Sequence, residues 1–506
     1  MTDICITVTG ADGTAIQQAR RAAEADADLI ELRLDLMDRP DPEAALNGRR
    51  KPAIVTCRPA REGGRFEGSE EERLRILRRA HELGAEYIDV EWDADAGALI
   101  QDRGGRGTVV SRHIFSGTPS DTGAILDDLR GRGGEVAKLA VMTDRLSDLL
   151  PLLAARRDAS SVVIGMGGPG LSTRILASRF GSRWTYAGDA IAPGQITARR
   201  LLHEFHFRRI QPDAAVYGVL GHPVTLSLSP AMHNAGFAAL GINAAYVPLD
   251  VTRLDGLKDF ANAVDLRGLS VTIPFKLDVL PLLDEVAPEA RAAGAINTIA
   301  IANGRWIGRN TDAEGFLAPL RHRIPSLSGV RASILGAGGA ARAAGLALLD
   351  AGAIVTVCAR RPAAARVVAD AIGARAGEWP PPRGSWDLLV NATPVGSRAL
   401  PESPYAGPFD GTLVYDLVYD PDPTALMQAA QRAGCSTLGG LEMLVAQAER
   451  QFEIWTGQRP PVGLFADAAV SAASRRTPDP SGMERATERD RDGVRGTGRG
   501  APATKK

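Results

Sequence analysis

Two groups of residues in this chain have the types and spacing that chemistry requires. The first is centred on Lys138, inside the apolar stretch EVAKLA (135–140). A lysine within a barrel strand is desolvated, which disfavours its ammonium form and frees the amine to attack a carbonyl. The resulting imine would act as an electron sink. Polar residues recur at or just beyond the ends of neighbouring strands: Glu31 and Arg33 in ELRLD, Arg58 in TCR, Glu91 in DVE, His113 in SRHIF, Arg174 in LSTR and Gln195 in APGQ. His113 is the expected base for the proton alpha to an imine, with Glu91 orienting its ring and holding its tautomer. The guanidinium groups suit a substrate carboxylate, gripped by paired hydrogen bonds. Taken alone, Lys138 is as well explained as a rim residue snorkelling to water. Convergence of the other polar residues on the same strand ends weighs against that role.

The second group begins with RASILGAGGAARAAGLALLDAGAIVTVCARR (331–361), which reads as strand, glycine loop, helix and strand. Gly336, Gly338 and Gly339, interleaved with Ala337 and Ala340, let backbone approach a pyrophosphate at a helix N-terminus. An acidic residue at the end of the second strand would select NAD; this chain has Ala359, then Arg360 and Arg361. Arginine there suits a 2′-phosphate, so NADP(H) is expected. An exposed arginine opening a helix is the plainer alternative, stronger for Arg361 than for Arg360. Upstream, Ser227 and Ser229 follow one strand in GVLGHPVTLSLSPAMHN, and Thr272 and Lys276 follow another in GLSVTIPFK. GAINTI contributes Asn297 and GRNTDAEG contributes Asp312. Lys276 and Asp312 form a plausible proton-transfer pair for a hydroxyl oxidised by hydride loss, although Asp312 could equally be a helix N-cap. His222 and His233 are assigned to structure.

Elements able to position these residues can be read from periodicity. The 506 residues exceed one hydrophobic core and suggest two or three domains. With 44% apolar and 24% charged residues and a net charge of −1, there is no global basic field for nucleic acid or anionic membranes. Apolar runs are too short to span a bilayer. The opening MTDICITVTG enters a strand at once and does not resemble a signal peptide. Cys5, Cys57, Cys358 and Cys435 form no CxxC, which points to a reducing cytoplasm. Eight strands are expected at 4–8, 29–34, 53–58, 87–92, 108–115, 135–140, 161–166 and 184–190, separated by helical spacing such as EERLRILRRAHELGA. They fit a closed parallel barrel over 1–210, with an open sheet as the rival arrangement. A joint falls at Gln211–Pro212–Asp213, short enough to keep the domains close. A new α/β pattern starts at AVYGVLG. Further boundaries are expected near 325 and 436, with C-terminal helices over 437–472. From Arg475 the chain loses apolar residues, and 475–506 reads as a disordered tail.

ELRLD, TCRPAREGG, DVE, SRHIFSGTP, VAKLA, MGGPGLSTR and APGQ, in that order, resemble the type I 3-dehydroquinate dehydratases over the whole first domain. The resemblance implies a (β/α)8 TIM barrel in which Lys138 forms the Schiff base with 3-dehydroquinate and His113 is the general acid/base. It also implies that Glu31, Arg33, Arg58, Glu91, Arg174 and Gln195 bind substrate. Two positions depart from the family: Ile114 where Asp often follows the histidine, and Ile191 where Ser or Thr usually precedes APGQ. The second half, with NATPVG (391–396), DLVYDPDPT (416–424) and GGLEMLVAQAERQFEIWTG (439–457), resembles the shikimate dehydrogenases. That implies a two-lobed unit: a substrate-binding domain over 214–325, a Rossmann NADP-binding domain over 326–436, and helices returning to the first lobe. Ser227, Ser229, Thr272, Asn297, Tyr419 and Gln447 are the implied shikimate contacts, with Lys276 and Asp312 catalytic. Asn391 and Gly440 join the glycine loop and Arg360 on the cofactor side. Ser270 replaces an asparagine found in many members. The implied product of the first half is the implied substrate of the second. Three other readings are a dehydrogenase preferring quinate or NAD, an inactive sensor on the same folds, and a one-activity enzyme with the barrel as scaffold.

Overall fold

A computed structural model describes residues 2–155, 160–188 and 194–476. Ile191 and the tail beyond Arg476 lie outside the described residues. Eight strands, β1 (Asp3–Val8), β2 (Leu29–Arg33), β3 (Ala53–Thr56), β4 (Tyr87–Glu91), β5 (Thr108–Ile114), β6 (Val136–Met142), β7 (Ser161–Met166) and β8 (Trp184–Ala187), pair in the order β7-β6-β5-β4-β3-β2-β1-β8. Every pairing is parallel. The two free edges meet just before β8, where Ser161 bridges Ser182 and the Arg183 N–H donates to the Ser161 carbonyl at 2.8 Å. The sheet is therefore a nearly closed barrel and not an open one.

Strand pleating explains how the polar residues reach one place. Alternate residues point inward. The floor of the interior is apolar: Cys5, Leu29, Ile54, Val109, Val136, Val162 and Trp184 form one buried cluster. Two residues further along each strand, the inward positions become Thr7, Glu31, Thr56, Ser111 and Lys138, all buried. Four residues along, they become Arg33, Arg58 and His113; on β4, Asp89 and Glu91 follow Tyr87. The outward positions, such as Leu32, Leu139 and Val141, are apolar and pack under the helices, each contributing roughly 1.5–3 kcal/mol by burial. The helix Glu70–Glu82 illustrates the local logic. Ser69 caps it through the Glu72 N–H (3.2 Å), and Glu70, Glu71 and Glu72 complement the positive end of its dipole. Its buried face is Arg73, Leu77 and Ala80, at helical spacing.

Beyond the barrel lie two further six-stranded sheets. The first runs β10-β9-β11-β13-β14-β12, from β9 (Ala215–Gly221), β10 (Ala244–Asp250), β11 (Leu266–Val271), β12 (Glu285–Val286), β13 (Thr298–Ala302) and β14 (Arg305–Arg309). The second runs β17-β16-β15-β18-β19-β20, from β15 (Arg331–Leu335), β16 (Ile354–Cys358), β17 (Arg375–Gly377), β18 (Leu388–Asn391), β19 (Leu413–Asp416) and β20 (Ser436–Leu438). In chain order this is 3-2-1-4-5-6, all parallel, so the strand order reverses between β15 and β18. Ligands of such sheets bind in the crevice at that switch point. The helices Gly440–Thr456 and Leu464–Arg476 return to the first of these sheets: Ala448, Phe452, Phe465 and Ala469 share a core with Tyr217, Phe237 and Tyr246. His233 is buried there and stacks on Tyr246 (4.4 Å between ring centres); burial lowers its pKa to about 3, so it is a neutral core residue. His222 is half exposed and pairs with Asp250 at 2.6 Å.

The joint is braced on both sides. Barrel arginines donate to backbone carbonyls of the second half: Arg179 to Ala214 (2.5 Å), Arg200 to Thr225 (2.8 Å) and Arg209 to Ala238 (3.2 Å). One hydrophobic cluster runs unbroken from barrel helix residues such as Leu171 and Ile175 to Val216, Leu249 and Phe260. No helix among the described residues is long and apolar enough to cross a membrane.

Candidate active sites

At the mouth of the barrel, Lys138 Nζ donates to Glu31 Oε1 (3.2 Å) and Asp89 Oδ2 (3.1 Å) and lies 4.2 Å from the centre of the Tyr186 ring. All three polar groups are buried. The apolar strand sequence suggested a bare amine; the structure surrounds it with two carboxylates and an aromatic face. Thr7 and Thr56 donate to the two oxygens of Glu31, each at 3.1 Å. Burial opposes ionisation of Asp89, but Arg58 and Lys138 outweigh it and hold the carboxyl well below the usual range. Arg58 grips Asp89 with both terminal nitrogens (3.1 and 2.8 Å) and donates to Glu91 (2.8 Å) and Ser111 (2.7 Å).

His113 is not oriented by Glu91. The His113 backbone N–H donates to Glu62 Oε2 (2.7 Å), and Nδ1 of the same residue lies 3.0 Å from that oxygen. Glu62 also accepts from Trp92 Nε1 at 3.2 Å. A proton on Nδ1 leaves Nε2 as the basic nitrogen of a neutral ring. Burial, with the nearby Arg58, lowers the His113 pKa to about 4 despite the Glu62 carboxylate. Glu91 instead sits between Arg58 and Arg73, and burial pushes its carboxyl up to about 7 against both cations. The reason is geometric. Glu91 ends its own strand beneath the mouth, whereas the turn after β3 carries Glu62 over the end of β5. Glu62 stands in TCRPAREGG, four residues past Arg58, in a loop that attention to strand ends passes over.

The remaining barrel candidates surround this centre with their hydrogen bonds already committed. Arg33 forms a two-pronged pair with Asp35 (2.9 and 2.8 Å). Arg174 is buried, donates to the Gly165 carbonyl (2.6 Å), and burial lowers its pKa to about 10. Gln195 Nε2 reaches Thr7 Oγ1 at 3.4 Å.

In the second half, one cleft of about 1580 Å³ is lined by Ser227, Ser229, Thr272, Lys276, Asn297, Asp312, Tyr419 and Gln447, and also by Gly336 to Ala340, Arg360 and Gly440. That exceeds the ~300–1,000 Å³ of a single small-ligand pocket and leaves room for a dinucleotide beside a ring substrate. Lys276 Nζ meets Asp312 Oδ2 at 2.5 Å, and Asn297 Nδ2 donates to Asp312 Oδ1 at 2.7 Å. Asp312 is the first residue of the helix Asp312–Arg323; its carboxylate faces lysine and amide and does not cap the helix. Ser270, Tyr246 and Gln451 form a hydrogen-bonded chain beneath the cleft, with Tyr246 donating to Ser270 (2.6 Å) and Ser270 to Gln451 (2.7 Å). Gln451 also lines the cleft. It lies one helical turn past Gln447, a spacing that places both on one face.

The glycine loop fits a dinucleotide. Gly336 has φ +120°, and a side chain there would press within 2.9 Å of the Ala392 carbonyl. A side chain on Gly338 would meet nothing within 4 Å, so the space over the N-terminus of the helix Gly339–Asp350 is open. Asn391 differs from its neighbours: it is fully buried and does not line the cleft. Its amide donates to Val395 (2.9 Å) and Asp416 (2.8 Å), and its oxygen accepts from Thr393, so it shapes the 392–396 loop from below. Among the described residues, no group of three or more His, Cys, Asp or Glu side chains is placed to hold a metal.

A barrel carrying an ion-paired lysine and an oriented histidine, joined to a Rossmann-type cleft with a lysine–aspartate pair, defines a two-site enzyme, a lyase coupled to a dinucleotide-dependent oxidoreductase. Family models for type I 3-dehydroquinase, for the shikimate dehydrogenase substrate binding domain and for the shikimate 5′-dehydrogenase C-terminal domain match residues 4–212, 219–299 and 440–469. The chloroplastic bifunctional 3-dehydroquinate dehydratase/shikimate dehydrogenase of Arabidopsis thaliana is 35% identical over 88% of this chain and 81% of its own length. The NADP(+) shikimate dehydrogenase of Carboxydothermus hydrogenoformans is 38% identical over 51% of this chain and 98% of its own. The Thermus thermophilus shikimate 5-dehydrogenase, solved with NADP(H) and shikimate, is 40% identical over 51% of this chain and 99% of its own, at a TM-score of 0.47. The chain belongs to the bifunctional 3-dehydroquinate dehydratase/shikimate dehydrogenase family.

Proposed function

We propose that Lys138, His113 and Glu62 dehydrate 3-dehydroquinate to 3-dehydroshikimate in the barrel, and that Lys276 and Asp312 serve the NADPH-dependent reduction of that product to shikimate in the cleft. The observation that carries the reading is the contact of Lys138 with two carboxylates inside the mouth that also holds His113. Attack by Lys138 requires Nζ to give up a proton to solvent, while Glu31 and Asp89, both held ionised, keep Nζ in place. Nζ then adds to the ketone carbon, and the carbonyl oxygen leaves as water, giving the imine. Neutral His113 removes the proton alpha to it, and the electron pair moves toward nitrogen. The beta hydroxyl departs as water with a proton returned by the same imidazole, and hydrolysis frees the lysine. Arg33, Arg58, Arg174 and Gln195 are the proposed substrate contacts; Arg33 and Arg58 reach a substrate carboxylate by sharing the forks now held by Asp35 and Asp89.

In the cleft, bound NADPH supplies a hydride to the ketone carbon. Gly336 to Ala340 and Gly440 are proposed to hold the pyrophosphate side and Arg360 the 2′-phosphate. Lys276 donates the proton that the new hydroxyl needs, with Asp312, itself held by Asn297, keeping the ammonium in place. Ser227, Ser229, Thr272, Tyr419 and Gln447 are the proposed ring contacts. All four cysteines are free and buried, which suits a reducing compartment, and the cytoplasm is the proposed location.

Three expectations arise here. With the His113 pKa near 4, the basic form persists from neutral pH down to about pH 5, and dehydratase kcat/KM should fall only as pH drops through about 4. Glu62→Gln should reduce dehydratase kcat about 10²-fold by releasing the ring, whereas Glu91→Gln should cost much less. Equal losses in the two variants would return the orienting role to Glu91. For the cofactor, Arg360→Ala should raise the KM for NADPH by roughly 10- to 100-fold, the worth of a charge-assisted contact, and leave that for NADH nearly unchanged. A parallel rise in both constants would remove Arg360 from 2′-phosphate recognition.

A further inference from the structure

The cleft has an aromatic wall that neither catalytic pair uses. Trp379 lines it beyond Arg360, Arg361 and Ala364. It is half-buried, packed on one side against a core that includes Leu335, Cys358, Trp386 and Tyr405. β17 pairs in parallel with β16, Cys358 opposite Gly377, so Arg360 and Trp379 each stand two residues past the end of neighbouring strands, and both line the cleft. β17 is the edge strand of the sheet. Lys276 lies beside Gly339 of the glycine loop, and from that loop after β15 the strand ends run outward to Arg360 after β16 and Trp379 after β17. A dinucleotide laid across these strand ends places its pyrophosphate on the glycine loop and its 2′-phosphate at the end of β16. Its purine must then lie beyond Arg360, where the indole is.

We propose that Trp379 is the stacking platform for the adenine of NADP(H), an inference that rests on the cofactor side of the cleft assigned above. Tryptophan offers the largest π surface of any side chain, and purine–aromatic stacking is tolerant of exact ring placement. The platform is built to stay still. The packed core holds one side of the indole, and Pro380, Pro381 and Pro382 follow it directly, restricting the backbone. An aromatic side chain placed only for the core would gain nothing by facing the cleft.

The test uses the full-length chain and two probes, NADPH and adenosine 2′,5′-bisphosphate, which carries the purine and the 2′-phosphate but no nicotinamide. Trp379→Ala should raise Kd for both probes about tenfold, and Trp379→Phe about threefold or less. In the wild type the bisphosphate should quench part of the tryptophan emission, and that component should vanish in both variants. Circular dichroism and melting temperature identify a variant that fails to fold, in which case Trp379→Phe and the quenching carry the test. Unchanged Kd in Trp379→Ala, with Arg360→Ala still weakening the bisphosphate, overturns the stacking role while leaving the cofactor site standing. Unchanged bisphosphate affinity in Trp379→Ala and Arg360→Ala alike overturns the cofactor site and the stacking role together.

Discussion

Borohydride added to the full-length protein with 3-dehydroquinate should reduce the imine and leave a stable adduct on Lys138, read as a mass increase on the peptide that contains it. Lys138→Ala should lose the adduct and about 10⁵-fold or more of dehydratase kcat, because a covalent route has no substitute once its nucleophile is gone. Alanine also strands Glu31 and Asp89 without their ammonium partner, and breaking a buried pair of this kind costs about 3–5 kcal/mol. Lys138→Arg separates the two effects. It keeps the charge between Glu31 and Asp89 but cannot form an imine, since a guanidinium does not lose its proton under these conditions. Dehydrogenase turnover in the same chain reports whether each variant is folded. An adduct that persists in Lys138→Ala, or an arginine variant with near-normal dehydratase activity, would remove Lys138 from the chemistry.

The second large effect is expected in the cleft. Asp312→Asn and Lys276→Ala should each lower dehydrogenase kcat by about 10²- to 10⁴-fold, the usual worth of a positioned proton-transfer group. Asp312 should matter through two contacts: it holds Lys276 at 2.5 Å and is itself held by Asn297 at 2.7 Å. The asparagine variant keeps the shape but loses the charge that fixes the ammonium. Its loss should therefore fall on kcat more than on the KM for NADPH. Dehydratase turnover serves as the internal control, the reverse of the Lys138 experiment. If KM for shikimate rises while kcat stays within about threefold, the pair binds substrate and does not move its proton.

Much of this molecule was legible one strand at a time. The barrel strands fall within a few residues of the expected spans, because a parallel strand buried on both faces reads as a short apolar, β-branched run bounded by turn residues. The glycine loop was readable because only glycine tolerates the Gly336 backbone and leaves open space at Gly338. Asp312 was not separable from a helix cap in sequence, since the first turn of a helix favours an acid for either purpose.

Partner choice is where reading residues in order stops. Glu91 and Glu62 both precede His113, both are carboxylates, and either could be imagined against the imidazole. The path of the loop after β3 selects Glu62. Lys138 and Glu31 are 107 residues apart, yet the closure of eight strands makes them neighbours at 3.2 Å. The local sequence around Lys138 is apolar and carries no trace of that contact. Asn391 shares a motif with residues that line the cleft but is turned away from it to support the loop. The sequence by itself determined which residues are inward, which loops suit phosphate and which side chains carry reactive atoms, because these depend on backbone periodicity and side-chain type. The tertiary structure alone decided which acid serves which base and which charges cancel, because hydrogen bonds and ion pairs act over a few ångströms, and that distance is set by how the barrel closes and the lobes dock.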